Sequence, residues 1–186
     1  MQRVSVVGNS GSGKTMLARR LSERIGAPFV ELDSIFHQPR WEPLPTDQFR
    51  ARVAEVVAGT SWVVDGNYSV VRDLVWSRAD TVIWFDLPRR VVMAQVVGRT
   101  LRRTVTRQEL WNGNREPLGN LWRLDPERNI IRWAWTNHAK YRDRYARAAE
   151  DGGYAGVRFL RLGSRHDAER LIAELGTAGR GVETAP

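Results

Sequence analysis

The sequence predicts an α/β fold, a three-layer sandwich in which helices cover both faces of a five-stranded parallel sheet. Two patterns predict it. Short apolar runs rich in β-branched residues alternate with segments of helical periodicity, and these runs lack the polar alternation of a sheet with one solvated face. A chain of 186 residues is long enough for one such domain with a sizeable core.

The first half of the chain supplies four strands and two helices. Residues 3–7 form the first strand, which ends at Gly8, and apolar residues at helical spacing predict a helix over residues 14–25. Thr46 is the expected cap of a second helix, which ends near residue 57. The other strands are predicted at residues 28–32, 62–64 and 81–85.

Two long helices separated by an irregular stretch are predicted in the second half. Pro88 begins a helix that reaches about residue 104, and another helix is expected from Pro126 to about residue 149. Asn, Pro and Gly are frequent between residues 105 and 125, which is typical of a loop excursion.

The chain is predicted to end with a fifth strand and a helix. The strand is expected at residues 156–162, and the helix follows Ser164, with Asp167 as a capping-box-like partner. Residues 1–175 are therefore predicted to form a single domain with a lid at about residues 105–125. Residues 176–186 are predicted to be a flexible tail.

Aspartates directly follow three of the predicted strands, at Asp33, Asp65 and Asp86. Ligands of open parallel sheets bind beyond the carboxyl ends of the strands, so these positions are candidates for a functional site. Asp86 is favoured as the cap of the helix that follows it. For Asp33 a helix-cap role stays open, and for Asp65 a turn role stays open.

The stretch GNSGSGKT, between the first strand and the first helix, satisfies the phosphate-binding motif G-x-x-x-x-G-K-[ST] in the context it requires. Its glycines let backbone N–H groups point into one concavity, and the helix start adds its positive end. Lys14 can reach the outer phosphates, and the Thr15 hydroxyl can serve Mg²⁺. The predicted nucleotide-binding residues are Gly8, Asn9, Ser10, Gly11, Ser12, Gly13, Lys14 and Thr15.

The order of this cradle, a carboxylate loop, DGNY, FDLP and an Arg-rich lid resembles the small P-loop kinases of nucleoside monophosphates, shikimate and gluconate. The stretches GNSGSGKTMLARRL, ELDSIFHQPRW, WVVDGNYS and RADTVIWFDLPRR look more narrowly like bacterial adenylate-kinase-like proteins, also labelled DNA topology modulation proteins. The resemblance covers roughly residues 4–135. It implies a P-loop NTPase fold of the nucleoside-monophosphate-kinase type, with ATP and Mg²⁺ as cofactors.

The resemblance also implies roles for two of the aspartates. Asp33 lies where the small-molecule kinases place a carboxylate that faces the acceptor hydroxyl, so it is a candidate catalytic and substrate-binding residue. Asp65 would hold Mg²⁺, partly through water, or contact the substrate. The carboxylate of Asp33 could orient the nucleophile and accept its proton late in the transfer.

Arginines three and four residues apart share one face of the helix that enters the lid, at Arg99, Arg102 and Arg103. Lid closure could bring Arg99 and Arg103 onto the transferring phosphoryl group, where they would act as catalytic residues. Arg132 and Arg142, on the returning helix, could face the same cleft. A solvated basic face is the alternative for the whole group.

Further candidate acceptor-binding residues are His37, Arg40 and Tyr68. The segment HQPRW stands where nucleoside monophosphate kinases carry an arginine pair and a glycine-rich segment, so a standard AMP or CMP acceptor is not predicted. A loop histidine without a substrate contact stays open for His37. Tryptophans in the predicted loops could stack on a flat substrate or pack under the lid; they are Trp41, Trp111 and Trp122.

The net charge of +8 is concentrated in one segment. Residues 89–147 hold fourteen basic and five acidic side chains, which suits nucleic acid, an acidic membrane surface or small polyanions. The leading hypothesis is a kinase that moves the γ-phosphoryl group of ATP to a small acceptor, for which a nucleotide or nucleoside is one candidate. An ATP-switched nucleic-acid-binding regulator and an ATP-binding protein with minimal catalysis are the alternatives.

Composition excludes several classes of chemistry. The chain has no cysteine, so disulfides, thiol catalysis and cysteine-ligated metals are ruled out. No apolar run approaches the roughly 20 residues that a bilayer span needs, and the first strand leaves no room for a signal peptide. A cytoplasmic protein without a membrane partner is expected, and its oligomeric state stays open.

Overall fold

Five parallel strands form one sheet in the order β2-β3-β1-β4-β5, which confirms the predicted α/β architecture. The computed structural model describes residues 1–115, 129–150, 154 and 156–178. The strands are β1 (Arg3–Gly8), β2 (Phe29–Glu31), β3 (Trp62–Asp65), β4 (Thr81–Phe85) and β5 (Arg158–Leu162).

The register of the strands aligns the carboxyl ends of the three central ones. Val6 of β1 lies opposite Asp65 of β3, and Gly8 lies opposite Phe85 of β4. Glu31, at the end of β2, pairs with Asp65. The loops that follow β1, β2 and β3 therefore leave the sheet at the same edge, where the sequence predicts the site.

Helices cover both faces of the sheet. They are α1 (Lys14–Ile25), α2 (Leu32–Phe36), α3 (Thr46–Val57), α4 (Arg72–Trp76), α5 (Arg89–Thr106), α6 (Ile130–Glu150) and α7 (Arg165–Ala178). The five-residue helices α2 and α4 were not predicted because they are too short to show an apolar period. Among the described residues, no helix is long and apolar enough to cross a bilayer.

Two buried clusters join the layers. One packs α1, α5 and α7 against the sheet, and the other packs α3, α4 and Tyr145 of α6 against its opposite face. Trp62 and Trp84 are 1% and 4% exposed, so their predicted place in the core is confirmed. Helix α6 contributes to both clusters, because Ala134 packs with the first and Tyr145 with the second.

Two of the predicted caps are wrong. Thr46 is the first residue of α3, and Pro45 occupies the cap position. Pro88 occupies the cap position of α5, whereas the side chain of Asp86 accepts a hydrogen bond from Arg161 Nε at 2.9 Å. An aspartate before a proline at a helix start resembles a cap in sequence. Here the carboxylate of Asp86 instead forms a hydrogen bond with Arg161 on the neighbouring strand β5.

Other terminal predictions have different outcomes. The Ser164 hydroxyl accepts the N–H of Asp167 at 3.1 Å, as the capping pattern predicts. Helix α7 continues to Ala178, three residues into the predicted tail. In the predicted lid, α5 extends to Thr106 and a short 3₁₀ turn covers Trp111–Gly113. Residues 116–125 of the lid, 126–128 of the predicted helix start and 179–186 of the tail lie outside the described residues.

Candidate active site

The loop between β1 and α1 forms a cradle held in place by close backbone approach. Gly11 and Gly13 have left-handed φ angles of 76° and 94°, which favour glycine. A Cβ at Gly11 would lie 2.2 Å from Cγ2 of Val96 on α5. A Cβ at Gly8 would lie 2.7 Å from the carbonyl oxygen of Phe85. The glycines therefore allow β4 and α5 to pack directly against the loop.

Side-chain amides hold the start of the cradle in place. Asn67 accepts the N–H of Gly8 at 3.1 Å and donates to the Gly8 carbonyl. The hydroxyl of Tyr145 on α6 donates to the same Asn67 oxygen at 3.0 Å. Asn9 donates to the carbonyl of Ala134, also on α6, at 2.8 Å. Asn67 belongs to the DGNY stretch but was missed as a site residue, since the sequence does not show which strand it would brace.

A buried carboxylate lies beside the start of α1. The Thr15 hydroxyl donates to Asp65 Oδ2 at 2.5 Å, and Asp65 is only 2% exposed. Burial raises the pKa of Asp65 to about 6, although the charge of Lys14 and the Thr15 hydrogen bond oppose this rise. Asp65 Oδ1 is buried without a hydrogen-bond partner in the described part of the chain.

These oxygen atoms fit the Mg²⁺ ion of a nucleotide. Mg²⁺ prefers oxygen ligands and retains several waters, so it needs one or two carboxylates or hydroxyls rather than a complete protein cage. The unpartnered Asp65 oxygen and the Thr15 hydroxyl provide such ligands next to the cradle. A phosphate group would meet the backbone of this loop, whose conformation requires glycine because a Cβ at Gly8 or Gly11 would clash with Phe85 or Val96.

Asp33 is held by a tyrosine and lies near a histidine. Tyr68 donates its phenolic hydrogen to Asp33 Oδ1 at 2.6 Å, and its oxygen lies 3.4 Å from His37 Nε2. Burial and the charge of Asp33 raise the pKa of Tyr68, so the phenol stays protonated. Burial also lowers the pKa of His37, against the opposing charge of Asp33. Asp33 is the second residue of α2 rather than its cap.

Helix α5 brings one predicted arginine to the cradle. Arg99 Nη2 donates to the Ser10 hydroxyl at 3.0 Å, so the guanidinium lies beside the loop that would hold phosphate. Arg103 follows one turn later on α5 and is half-buried, whereas Arg102 is exposed. The predicted cationic face of α5 is therefore only partly solvated.

Three other predicted arginines do not reach the site in this structure. Arg40 has a side chain that is 84% exposed and lies 3.2 Å from Glu42. Arg132 is exposed at the start of α6, and among the described residues its side chain has no polar contact with the cradle. Arg142 lies 3.6 Å from Asp86, the residue that follows β4, and its place in the cleft stays a prediction.

A segment after α5 closes over the loop that carries His37. Asn114 accepts the N–H of Trp41 at 2.9 Å and donates to the Gln38 carbonyl at 2.9 Å. The rings of His37 and Trp111 stack with centroids 5.9 Å apart. We call this contact the lid clasp; it also includes Asn112, which donates to the carbonyls of Ser34, at 3.1 Å, and His37. Trp122 lies outside the described residues.

Comparison with known proteins supports the chemistry that this geometry suggests. No protein-family model matches the chain. A shikimate kinase of Symbiobacterium thermophilum is 32% identical over 133 residues, which cover 63% of this chain and 74% of the relative.

Solved structures show the same fold. A shikimate kinase from Acinetobacter baumannii, in complex with shikimate, covers 100% of this chain and 96% of its own, with a TM-score of 0.56 and 15% identity. A gluconokinase from Sinorhizobium meliloti covers 98% of both chains, with a TM-score of 0.50 and 19% identity. The sequence relative and the architecture agree on a P-loop kinase of small molecules: the chain belongs to the shikimate kinase family and is an ATP-dependent phosphotransferase that uses Mg²⁺.

Proposed function

We propose that the enzyme transfers the γ-phosphoryl group of ATP to a hydroxyl group of a small acceptor bound beside Asp33. The observation that carries the proposal is the placement of Asp33. Tyr68 holds it at the same edge of the sheet as the Thr15–Asp65 pair, close enough for its charge to contribute to the raised pKa of Asp65. An acceptor hydroxyl beside Asp33 would therefore face the phosphate cradle.

Each predicted residue has a role in this proposal. Lys14 neutralises the outer phosphates, while Thr15 and Asp65 hold Mg²⁺, partly through water. Bound Mg²⁺ would neutralise charge on the phosphate oxygens. Arg99 and Arg103 stabilise the transferring phosphoryl group, as the Arg99–Ser10 hydrogen bond suggests.

On the acceptor side, Asp33 orients the hydroxyl and takes up its proton late in the transfer. Tyr68 fixes the carboxylate, and the His37 ring bounds the acceptor pocket. Arg40 and Arg132 stay predicted acceptor contacts. Each side chain would have to turn from its exposed position to reach that pocket.

For the acceptor, we favour a ring or chain with several hydroxyl groups. The names of the related kinases specify shikimate and gluconate, which are hydroxylated acids. A nucleoside or nucleotide is the second candidate, because the rings of His37, Trp41 and Trp111 form an aromatic cluster next to Asp33 that could bind a base.

Nucleic-acid-dependent regulation, which the likeness to DNA topology modulation proteins suggests, is a third candidate. The exposed arginines of α5 and α6 favour it. It requires nucleic-acid binding that weakens steeply as salt rises, because such binding releases counterions.

A panel assay tests the proposed function. The protein is incubated with Mg²⁺ and ATP together with shikimate, gluconate, other polyols, nucleosides or nucleoside monophosphates, and mass spectrometry follows ADP and new phosphorylated products. We expect one acceptor class to stimulate ADP formation, and Lys14→Ala to abolish it.

The role of Asp33 has its own test in the same assay. Asp33→Asn should retain ATP binding but lose about 10²–10⁴-fold in transfer rate, the usual contribution of a positioned acid or base. Asp47→Asn, which changes an exposed carboxylate on α3, is the matched control and should keep its rate. Unchanged turnover in Asp33→Asn would remove Asp33 from the mechanism.

A further inference from the structure

We propose that a basic groove between α4 and α6, separate from the phosphoryl-transfer site, binds a small anion that carries two or more phosphate groups. The groove has a volume of about 550 Å³, within the range of small-ligand sites. Its cationic lining consists of Arg72, Lys140, Arg144 and Arg147, and one acidic residue, Asp143, also lines it. We call it the α4–α6 groove.

The cations are arranged to meet several negative charges at once. Lys140, Arg144 and Arg147 are spaced four and three residues apart, so they lie on one face of α6 over about 10 Å of helix. Arg72 faces them from α4. Among the described residues, none of the four forms an ion pair with a carboxylate, so only the nearby charge of Asp143 offsets the repulsion among four cations.

Arg72 gives an independent indication of an anionic ligand. Its Nη2 atom is buried and has no hydrogen-bond acceptor in the described part of the chain. The guanidinium carbon lies 5.3 Å from the centroid of the Trp76 ring, which holds the group in the groove wall. The residue as a whole is only half-buried, so a phosphate oxygen in the groove could accept a charge-assisted hydrogen bond from the accessible part of its guanidinium group.

The shape of the groove favours a small oligophosphate over a nucleic-acid strand. Strand-binding proteins combine cations with open aromatic faces on which bases stack. Here Trp76 is only 2% exposed and its ring packs against Tyr154 with centroids 5.2 Å apart. The aromatic residues thus form the wall, and the accessible groups are the cations.

Titration calorimetry with inorganic tripolyphosphate in metal-free buffer at about 0.15 M salt tests the proposal. The full chain carries Lys14→Ala, so that binding at the phosphate cradle is weakened. We expect one tripolyphosphate to bind per chain. Adding Arg144→Gln and Arg147→Gln should weaken this binding at least tenfold. Adding Arg52→Gln instead, at an exposed position on α3, is the matched control and should leave it unchanged.

Three results would overturn the proposal. They are no tripolyphosphate binding to the Lys14→Ala protein, equal affinity in the Arg144→Gln/Arg147→Gln variant, or an oligonucleotide that binds the groove more tightly and with a steeper salt dependence. Arg144 and Arg147 are exposed, so their replacement should leave the fold intact, which thermal unfolding checks. Arg72→Lys, which keeps the charge but removes the fork of N–H donors, should give an intermediate loss.

Discussion

Asp65 is a carboxyl group whose pKa is strongly changed by folding. Burial raises its pKa from 3.8 to about 6, so the folded protein binds this proton more tightly than the unfolded chain does. The resulting stabilisation is complete below pH 4 and is lost as pH rises through about 6. The carboxylate that we propose to hold Mg²⁺ therefore costs free energy to keep charged in the metal-free protein.

We expect Asp65→Asn to stabilise the metal-free protein at pH 8 but not at pH 4. The neutral amide avoids a cost on the order of 2–3 kcal/mol, since one pKa unit corresponds to about 1.4 kcal/mol. Urea unfolding at both pH values, with chelator present, measures the difference. An equal effect of the substitution at pH 4 and pH 8 would contradict the pKa assignment.

The Tyr68 hydroxyl positions Asp33, and its removal should affect the acceptor rather than ATP. A hydrogen bond to a charged group contributes about 1.5–3 kcal/mol, so Tyr68→Phe should lower kcat/KM for the acceptor roughly 10–100-fold. The KM for ATP should stay constant. Tyr141→Phe removes a hydroxyl from α6 and serves as control in the same steady-state assay. A parallel change in both KM values would indicate a general packing defect instead.

At the scale of elements, the lid clasp joins two loops that are far apart in sequence. Left-handed φ angles of 63°, 61° and 55° at Arg40, Trp41 and Asn112 show that both partners adopt backbone conformations uncommon for residues other than glycine. The hydrogen bonds of Asn112 and Asn114 oppose this strain. The clasp thus determines the shape of the loop that carries His37.

We expect Asn114→Ala to raise the KM for the acceptor several-fold with little change in the KM for ATP. The substitution removes the hydrogen bonds to Trp41 and Gln38, while the cradle keeps its contacts. Asn137→Ala, on α6, removes only a bond within the helix and is the control. Steady-state kinetics with each substrate varied separately measures the two KM values. Equal changes in them would show that the clasp acts on the whole cleft.

The long elements were predictable because their signals are local. A continuous apolar run predicts a buried strand and an apolar period predicts a helix. Both patterns are visible within the segment itself, whichever elements it packs against. The helices α2 and α4 have five residues each and are fixed by packing rather than by pattern. The role of Asp86 was mispredicted for a related reason, since Arg161 is 75 residues away in sequence.

At the scale of the molecule, close packing of the cradle against α5 depends on one missing side chain. Gly11→Ala would place a methyl group 2.2 Å from the Val96 side chain, in a loop whose φ is also unfavourable for alanine. We expect this variant to lower Tm by several degrees and to weaken ATP binding at least tenfold. Differential scanning calorimetry and ATP titration measure both quantities.

Gly113→Ala separates the steric clash with Val96 from the backbone cost of a left-handed φ. Gly113 has the same φ of 76°, but a Cβ there meets no atom within 4 Å. Its replacement should therefore show only the backbone cost, about 1 kcal/mol. If both alanine variants lose the same stability and Gly113→Ala also weakens ATP binding, the contact with Val96 is not the cause.

The candidate site was predictable in its centre and not at its rim. The cradle motif and the aspartates after the strands depend on the topology of a parallel sheet, which the sequence shows. The contacts of Asn67, Asn112 and Asn114 depend on which loops meet, and an asparagine in a loop gives no sign of its partner. Arg40 pairs with Glu42, its near neighbour in sequence, whereas Arg142 pairs with Asp86, which is distant in sequence.

Helix α6 is attached to the start of the phosphate cradle, through the Ala134 carbonyl to Asn9 and through the Tyr145 hydroxyl to Asn67, which is hydrogen-bonded to Gly8. The same helix carries three of the cations of the α4–α6 groove. A displacement of α6 would move both of these contacts together, so the helix would couple ligand binding in the groove to ligand binding in the cradle. Thermodynamic reciprocity then applies: whatever factor an anion on the helix imposes on ATP affinity, ATP imposes on the affinity for that anion.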